Sequence, residues 1–434
     1  MKRRTLNVIT LGCSKNVVDS EHLMAQLSPF GYDIIFDEDR VDVDVVVINT
    51  CGFIGDAKQE SIDLILQAAQ AKSEGLISKL YVIGCLSERY ADDLRSEIPE
   101  VDSYFGVHNW AEIVEELGGE YSKSRECDRV LTTPSHYAYL KISEGCNWRC
   151  GYCAIPLIRG KHISVPIEEL IEESEKLAAK GVKELIVVAQ DTTYYGVDLY
   201  GERRLAELLA RLCRVEGIEW IRLHYAYPTS FPHDVIDVMA REDKICKYLD
   251  IPFQHISDSQ LSSMKRRHTK AQAYELIEEL RAKIPSIALR TTMLVGYPGE
   301  SETDFQELCR FVEDVRFDRL GVFAYSAEEG TYSAEKLEDD IPDELKQQRV
   351  EHIMGLQNEI SLNSNSSRVG SVMRVIVDRC EGDEWVARSE YDSPEVDCEI
   401  LVDSQGRELE IGELYEVEIT QAEDYDLYAV IKGE

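Results

Sequence analysis

Cys146, Cys150 and Cys153 form a C-x3-C-x2-C run, Cys146-Asn-Trp-Arg-Cys150-Gly-Tyr-Cys153. Three thiols this close can ligate one metal centre. A structural zinc site closes with four ligands. An iron–sulfur cubane held by three cysteines instead leaves one iron open to another ligand. A second trio, Cys13, Cys51 and Cys85, is scattered along the chain. Each of its members follows a β-branched or apolar run: Thr10-Leu-Gly-Cys13, Ile48-Asn-Thr-Cys51 and Val82-Ile-Gly-Cys85. In a parallel sheet all carboxyl ends lie along one edge, where ligands bind. The second trio can therefore converge on a metal, with Gly12, Gly52 and Gly84 permitting tight turns beside it. The alternative is three buried structural cysteines. If the second trio also holds a cubane, it too has an open iron. The other six cysteines show no convergent partner and read as core or incidental thiols. Of these, Cys127 lies in a linker, Cys213, Cys246 and Cys309 in or beside apolar helical segments, and Cys380 and Cys398 in a β-rich tail.

The elements that must position these residues alternate between strand and helix, which predicts α/β architecture with parallel sheets. Residues 1–121 read as an N-terminal parallel α/β domain. Its strands are Leu6–Leu11, Val43–Ile48 and Leu80–Ile83, and its helices are Val17–Leu27, Asp56–Lys72 and Glu88–Glu97. A polar stretch near Ser122–Asp128 marks a boundary. From 133 to 363 six further strands are predicted: Tyr139–Ile142, Leu185–Ala189, Trp220–Leu223, Tyr248–Ile251, Ala288–Val295 and Leu320–Ala324. Helices between them suggest an open (β/α)6 partial barrel rather than a complete eight-unit barrel. A helix over Pro342–Leu362 leads into a polar linker, Asn363–Arg368. Residues 366–434 carry five short strand patterns, beginning near Val372, Trp385, Val396, Leu414 and Leu427, which predict a small five-stranded β-barrel.

Bulk composition narrows the function. With 47 basic against 82 acidic residues, the net charge is −35. Such a chain repels polyphosphates and attracts basic proteins. The tail from Ser366 repeats this bias, with 6 basic and 19 acidic residues. A barrel that grips RNA would be basic, so this one suits a basic protein, or else merely packs on the core. No apolar stretch reaches the ~18–20 residues of a membrane span. The opening Met1–Cys13 has basic residues, a short apolar run and a cysteine, but Asn7 interrupts it, and a buried first strand is expected in place of an export signal. Cytoplasmic location and reduced or metal-bound cysteines follow.

Together the motifs resemble the methylthiotransferase family of radical S-adenosylmethionine (SAM) enzymes, over the whole chain. The C-x3-C-x2-C run, with Tyr152 before its last cysteine, is similar to the superfamily's cluster motif. The family has an N-terminal domain with three cluster cysteines, a radical-SAM core and a C-terminal TRAM barrel. One branch modifies an adenosine of transfer RNA, and the other an aspartate of small-subunit ribosomal protein twelve. Gly12-Cys-Ser-Lys-Asn-Val-Val-Asp-Ser-Glu21, Asn49-Thr-Cys-Gly-Phe-Ile54 and Ile155-Pro-Leu-Ile-Arg-Gly160 resemble the ribosomal-protein branch more closely.

The resemblance implies two 4Fe-4S clusters and SAM as cofactors. Cys146, Cys150 and Cys153 would hold the cluster whose open iron grips SAM, and Cys13, Cys51 and Cys85 the auxiliary, sulfur-presenting one. It implies methylthiolation of an aspartate β-carbon, a C–H bond that no protein acid or base readily opens, so a cofactor must supply the radical. A basic ribosomal-protein substrate, free or on the subunit, an electron donor such as ferredoxin or flavodoxin, and a sulfur donor complete the expected partners. Gln190 and Asp191, at the carboxyl end of a strand, are candidate SAM contacts, with a solvated loop as the alternative. Gly296 is a further candidate beside adenine, or plain turn chemistry. Arg159 and Lys161 are weighed as anion partners against an ordinary surface role. The basic run Lys265-Arg-Arg-His268 reads as a surface ion-pair segment. Two other functions compete: a tRNA adenosine methylthiotransferase and a non-catalytic metal-binding scaffold.

Overall fold

The computed structural model describes residues 4–38, 43–382 and 384–432; the first three residues of the opening segment lie outside these. The first sheet is wholly parallel, with strand order β2-β1-β3-β4-β5. Its strands are β1 (Arg4–Thr10), β2 (Tyr32–Phe36), β3 (Val45–Thr50), β4 (Lys79–Gly84) and β5 (Ser103–Tyr104). Helices α1 (Ser14–Leu27), α2 (Gly55–Ser73) and α3 (Cys85–Glu97) follow β1, β3 and β4. β3 is buried along its whole length, as expected of a central strand covered on both faces. Strands β2 and β5 are additions to the three predicted. Each is a short edge strand, and only Tyr32 in β2 is buried.

The second sheet runs β13-β12-β11-β10-β9-β6. It comprises β6 (Tyr137–Lys141), β9 (Glu184–Val188), β10 (Trp220–Leu223), β11 (Ile245–Asp250), β12 (Ala288–Val295) and β13 (Arg319–Ala324). Spatial order equals chain order, and β6 and β13 are its free edges, so the barrel is open as predicted. A two-stranded antiparallel ribbon, β7 (Ser143–Glu144) with β8 (Ile163–Ser164), stands beside it. The crossover helices include Lys270–Lys283 and Glu302–Val315, each begun by a capping box, Thr269 with Gln272 and Ser301 with Asp304. One large apolar core joins this sheet to its helices, built from residues such as Leu140, Val187, Leu208, Leu249 and Phe311.

The last helix, Asp343–Ser366, runs through most of the segment expected to be a linker. Polar composition misled there. Asn365 is fully buried, and its amide donates to the carbonyls of Glu423 and Asp424 in the barrel at 3.0 and 3.3 Å. The barrel is closed, β14-β15-β16-β18-β17, from β14 (Val372–Glu381), β15 (Glu384–Ser389), β16 (Ile400–Asp403), β17 (Leu414–Ala422) and β18 (Leu427–Ile431). β16 starts four residues later than expected, because the preceding residues face the core instead. Ser393 Oγ lies 2.9 Å from His224 Nε2, and Tyr248 donates its hydroxyl to Asp397 at 2.7 Å. No helix among the described residues is long and apolar enough to cross a membrane.

Candidate functional site

In the first sheet the strand order reverses between β1 and β3, and the carboxyl edge at such a switch point is where open α/β sheets bind ligands. Cys13 and Cys51 follow those two strands. Cys13 is the N-cap of α1, and Cys85 is the first residue of α3. The three turns pack on one another. A Cβ on Gly12 would lie 2.8 Å from Cys51 Cβ, and one on Gly52 would lie 2.7 Å from the Cys85 carbonyl carbon. Asn16 ties them together, donating to the carbonyls of Leu11 at 2.8 Å and Thr50 at 3.1 Å.

The contiguous trio, Cys146, Cys150 and Cys153, is presented by the loop after β7. Gly145 (φ +74°) begins it, and a Cβ there would meet the Lys161 carbonyl oxygen at 2.2 Å. Only glycine allows that approach. Backbone bonds hold the rest: Cys146 N to Gly160 O at 3.1 Å, Gly151 N to Met264 O at 2.8 Å, and Cys153 N to Cys150 O at 3.1 Å. Trp148 stacks on Tyr227, with centroids 4.4 Å apart, and the Tyr227 hydroxyl lies 3.5 Å from Cys150 Sγ. Buried Arg266 sits over the Tyr227 ring at 4.2 Å and donates to the Tyr152 hydroxyl at 3.3 Å.

The segment Ala154–Arg159 joins the two sites. Cys153 precedes it. Ala154 and Ile158 pack on Cys85 and Val107. Arg159 at its far end is 2% exposed, so the surface role weighed from sequence is set aside. Its Nε donates to Cys85 Sγ at 3.4 Å, and its two Nη atoms reach Asp19 (2.9 Å), Glu144 (2.9 Å) and Asn16 (2.5 Å). Lys141 pairs with both Asp19 and Glu144. Burial would raise the Glu144 carboxyl, but Lys141 and Arg159 outweigh it and hold the group down at about 2. Arg89, which donates to the Gly52 carbonyl at 3.1 Å, and Lys58 both bind Glu328, at 3.1 and 2.7 Å.

Does this donor set fit iron–sulfur clusters? Among the described residues, no three His, Cys, Asp or Glu side chains close around a point that one metal ion could occupy. A zinc ion would require ligand atoms about 2.0–2.3 Å from a shared centre. Each trio offers three thiols, one short of the four ligands that close a structural zinc site and the number that leaves a cubane one open iron. Burial pushes the Cys146 thiol up to about 12 and that of Cys85 up to about 11, and raises Cys153 and Cys51 also. Cys13 is the exception: burial opposes ionisation, but nearby Lys15 and Arg159 prevail and lower it. Thiols so placed become thiolates when a metal displaces their protons, and Arg159, Lys15 and Arg266 stand ready as buried counter-charges.

The candidate SAM residues fare differently. Gln190 donates to Glu144 at 3.0 Å, and its Oε1 has no partner among the described residues. Asp191, 1% exposed, accepts from Trp148 Nε1 at 2.5 Å and from the Thr193 amide and hydroxyl at 2.9 and 2.7 Å. It therefore anchors the cysteine loop to the strand end. Gly296 (φ +71°) bonds Glu300 through its amide, and the Lys346 stem fills the place of a Cβ. Sequence reasoning missed Arg266, Tyr227, Asn16 and Glu144. Glu144 and Tyr227 carried a signal, since each lies just beyond a predicted strand's carboxyl end.

Three family models match the chain in the order of its domains. Residues 5–106 match Uncharacterized protein family UPF0004, 140–312 the Radical SAM superfamily and 369–431 the TRAM domain. Ribosomal protein uS12 methylthiotransferase RimO of Phocaeicola vulgatus is 55% identical over 99% of this chain and 100% of its own length. The protein of that name from Flavobacterium johnsoniae is 53% identical over 99% and 98%. The chain belongs to the ribosomal protein uS12 methylthiotransferase family. Among solved structures, the radical SAM methyltransferase TsrM of Kitasatospora setae shares the fold, with a TM-score of 0.57 at 13% identity over 76% of this chain and 77% of that one. Family membership thus covers all three structural layers, not the radical-SAM core alone.

Proposed function

We propose that this protein methylthiolates the β-carbon of an aspartate in ribosomal protein uS12, in the cytoplasm, with two 4Fe-4S clusters and SAM. One observation carries the reading: two separate three-cysteine sites abut opposite ends of the single segment Ala154–Arg159. One site suffices to make a radical, and a second is needed where sulfur is also delivered. Cys146, Cys150 and Cys153 hold the first cluster, and Cys13, Cys51 and Cys85 the second. When bound, these groups supply a 5′-deoxyadenosyl radical and a methylated sulfur.

The chain's own residues bind, orient and exclude water. Arg266 and Arg159 each lie beside one thiol set and offset its negative charge inside a medium where unpaired charge is costly. Asp191, through Trp148, holds the cysteine loop against the barrel's carboxyl face. Gln190 Oε1, buried and unpartnered, is left to accept from the SAM ammonium group. Tyr152, inside the cysteine run, accepts from Arg266 and lines the same thiol set. An electron donor and a sulfur donor are required from outside the chain.

The tRNA reading is disfavoured by the barrel's charge and by the relatives' names. Mass spectrometry of ribosomal proteins and tRNA from cells lacking the gene decides between them. We expect uS12 to lose the mass of one methylthio group and tRNA to be unchanged. Loss from tRNA alone would overturn the assignment.

A further inference from the structure

We propose that Arg149, Lys265 and Arg267 form the landing surface for a small acidic one-electron carrier protein that reduces the centre at Cys146, Cys150 and Cys153. This rests on the radical-SAM reading of that trio. The chain carries a net charge of −35, yet these three cations surround one cysteine loop. All three are exposed. The ion pairs expected of this basic run are absent from them: among the described residues none of the three meets a carboxylate. Their neighbour Lys270, by contrast, pairs with Glu307 at 2.6 Å.

What holds the three cations is aromatic and backbone geometry. Lys265 Nζ sits 3.1 Å above the centre of the Tyr332 ring, and the Arg267 guanidinium 5.6 Å from that of Trp148. Arg149 (φ 53°) and Lys265 (φ 56°) both adopt left-handed backbone, which long side chains rarely do. The patch is therefore built rather than incidental.

It also leads somewhere. From Arg267, Trp148 stacks on Tyr227 at 4.4 Å, and Tyr227 Oη reaches Cys150 Sγ at 3.5 Å. Packed rings thus connect Arg267 at the surface to a thiol of the proposed cluster. A basic substrate protein would be repelled here, whereas an acidic partner would be drawn to this cationic spot on an anionic molecule. In the transfer the carrier loses one electron, the cluster gains it, and no atom moves between the proteins.

The test uses the full chain, purified anaerobically with its clusters, and follows 5′-deoxyadenosine formed from SAM. Two reductants are compared: reduced flavodoxin, an acidic protein, and reduced methyl viologen, a small cation. For the Lys265→Glu/Arg267→Glu variant we expect the flavodoxin-driven rate at low salt to fall by about tenfold or more. The viologen-driven rate should be unchanged or higher. Added salt should slow the unaltered protein with flavodoxin but scarcely affect the variant. Lys265→Arg/Arg267→Lys, which preserves charge, should keep the flavodoxin rate. An unchanged flavodoxin rate in the reversed variant, or an equal fall with both reductants, overturns the landing surface. If the unaltered protein makes no 5′-deoxyadenosine with viologen, the radical reading beneath it falls instead.

Discussion

At the scale of single residues, Arg159 carries more than its position in a short motif implies. It is one of the largest fully buried side chains, and its guanidinium spans Asp19, Glu144, Asn16 and Cys85. Replacing it with Met leaves two buried carboxylates with Lys141 alone. Breaking a buried charged network in this way costs about 3–5 kcal/mol. Denaturant unfolding of Arg159→Met should show that loss, and iron per chain should fall towards half as the adjoining Cys85 site empties. His268 gives a second, pH-dependent test. It is 4% exposed, and neither ring nitrogen has a partner among the described residues. Burial, with nearby Arg266, lowers it to about 3. The unfolded chain protonates this group near its ordinary value and the folded chain does not. Its effect is therefore absent above about pH 6.5, and stability is lost as pH falls from there towards 3. The slope is at most about 1.4 kcal/mol per pH unit. Unfolding curves at several pH values should show a shallower acid loss for His268→Phe. Identical slopes would mean the imidazole is solvated.

At the scale of elements, the ribbon of β7 and β8 governs whether one cysteine loop forms. Gly145 directly follows β7, and a side chain there clashes with the Lys161 carbonyl while forcing strained backbone. Gly145→Ala should cost ~1–3 kcal/mol and displace Cys146. Iron per chain should fall by half, and 5′-deoxyadenosine formation by well over tenfold. Retention of both would show that the loop can shift without harm. This element was legible in sequence because its cysteines are contiguous. The other trio was legible only through topology, since strand ends converge whatever their separation in the chain. What stayed hidden was tertiary. Asn363–Ser366 is helical because Asn365 finds barrel carbonyls, a partner that composition cannot reveal. Arg159 looks like a surface cation until its carboxylate partners, Asp19 and Glu144, converge from other segments. The run at Lys265 was expected to pair with carboxylates, yet it is held by aromatic rings, which no local pattern predicts.

At the scale of the whole molecule, the barrel's acidity serves two purposes that its net charge conflates. One set of carboxylates points inward. Asp392 pairs with Arg319, Asp397 with Arg290 at 3.3 Å, and Asp378 with His136 at 2.7 Å. These fasten the barrel to the radical-SAM core, so barrel packing is itself electrostatic. Another set faces solvent, including Glu416 and Glu418 on β17, which alternate with buried Val417 and Ile419. Only this second set is free to attract a basic ribosomal protein. The two roles separate experimentally. Asp392→Ala leaves buried Arg319 unpaired and should destabilise the protein by about 3–5 kcal/mol. Glu416→Lys/Glu418→Lys should leave stability within about 0.5 kcal/mol yet weaken uS12 binding. The loss should be largest at low ionic strength and shrink as salt screens the exposed charges. If the outward reversal leaves uS12 affinity and its salt dependence untouched, β17 is not the substrate-facing side, and the barrel's acidity acts chiefly to dock it.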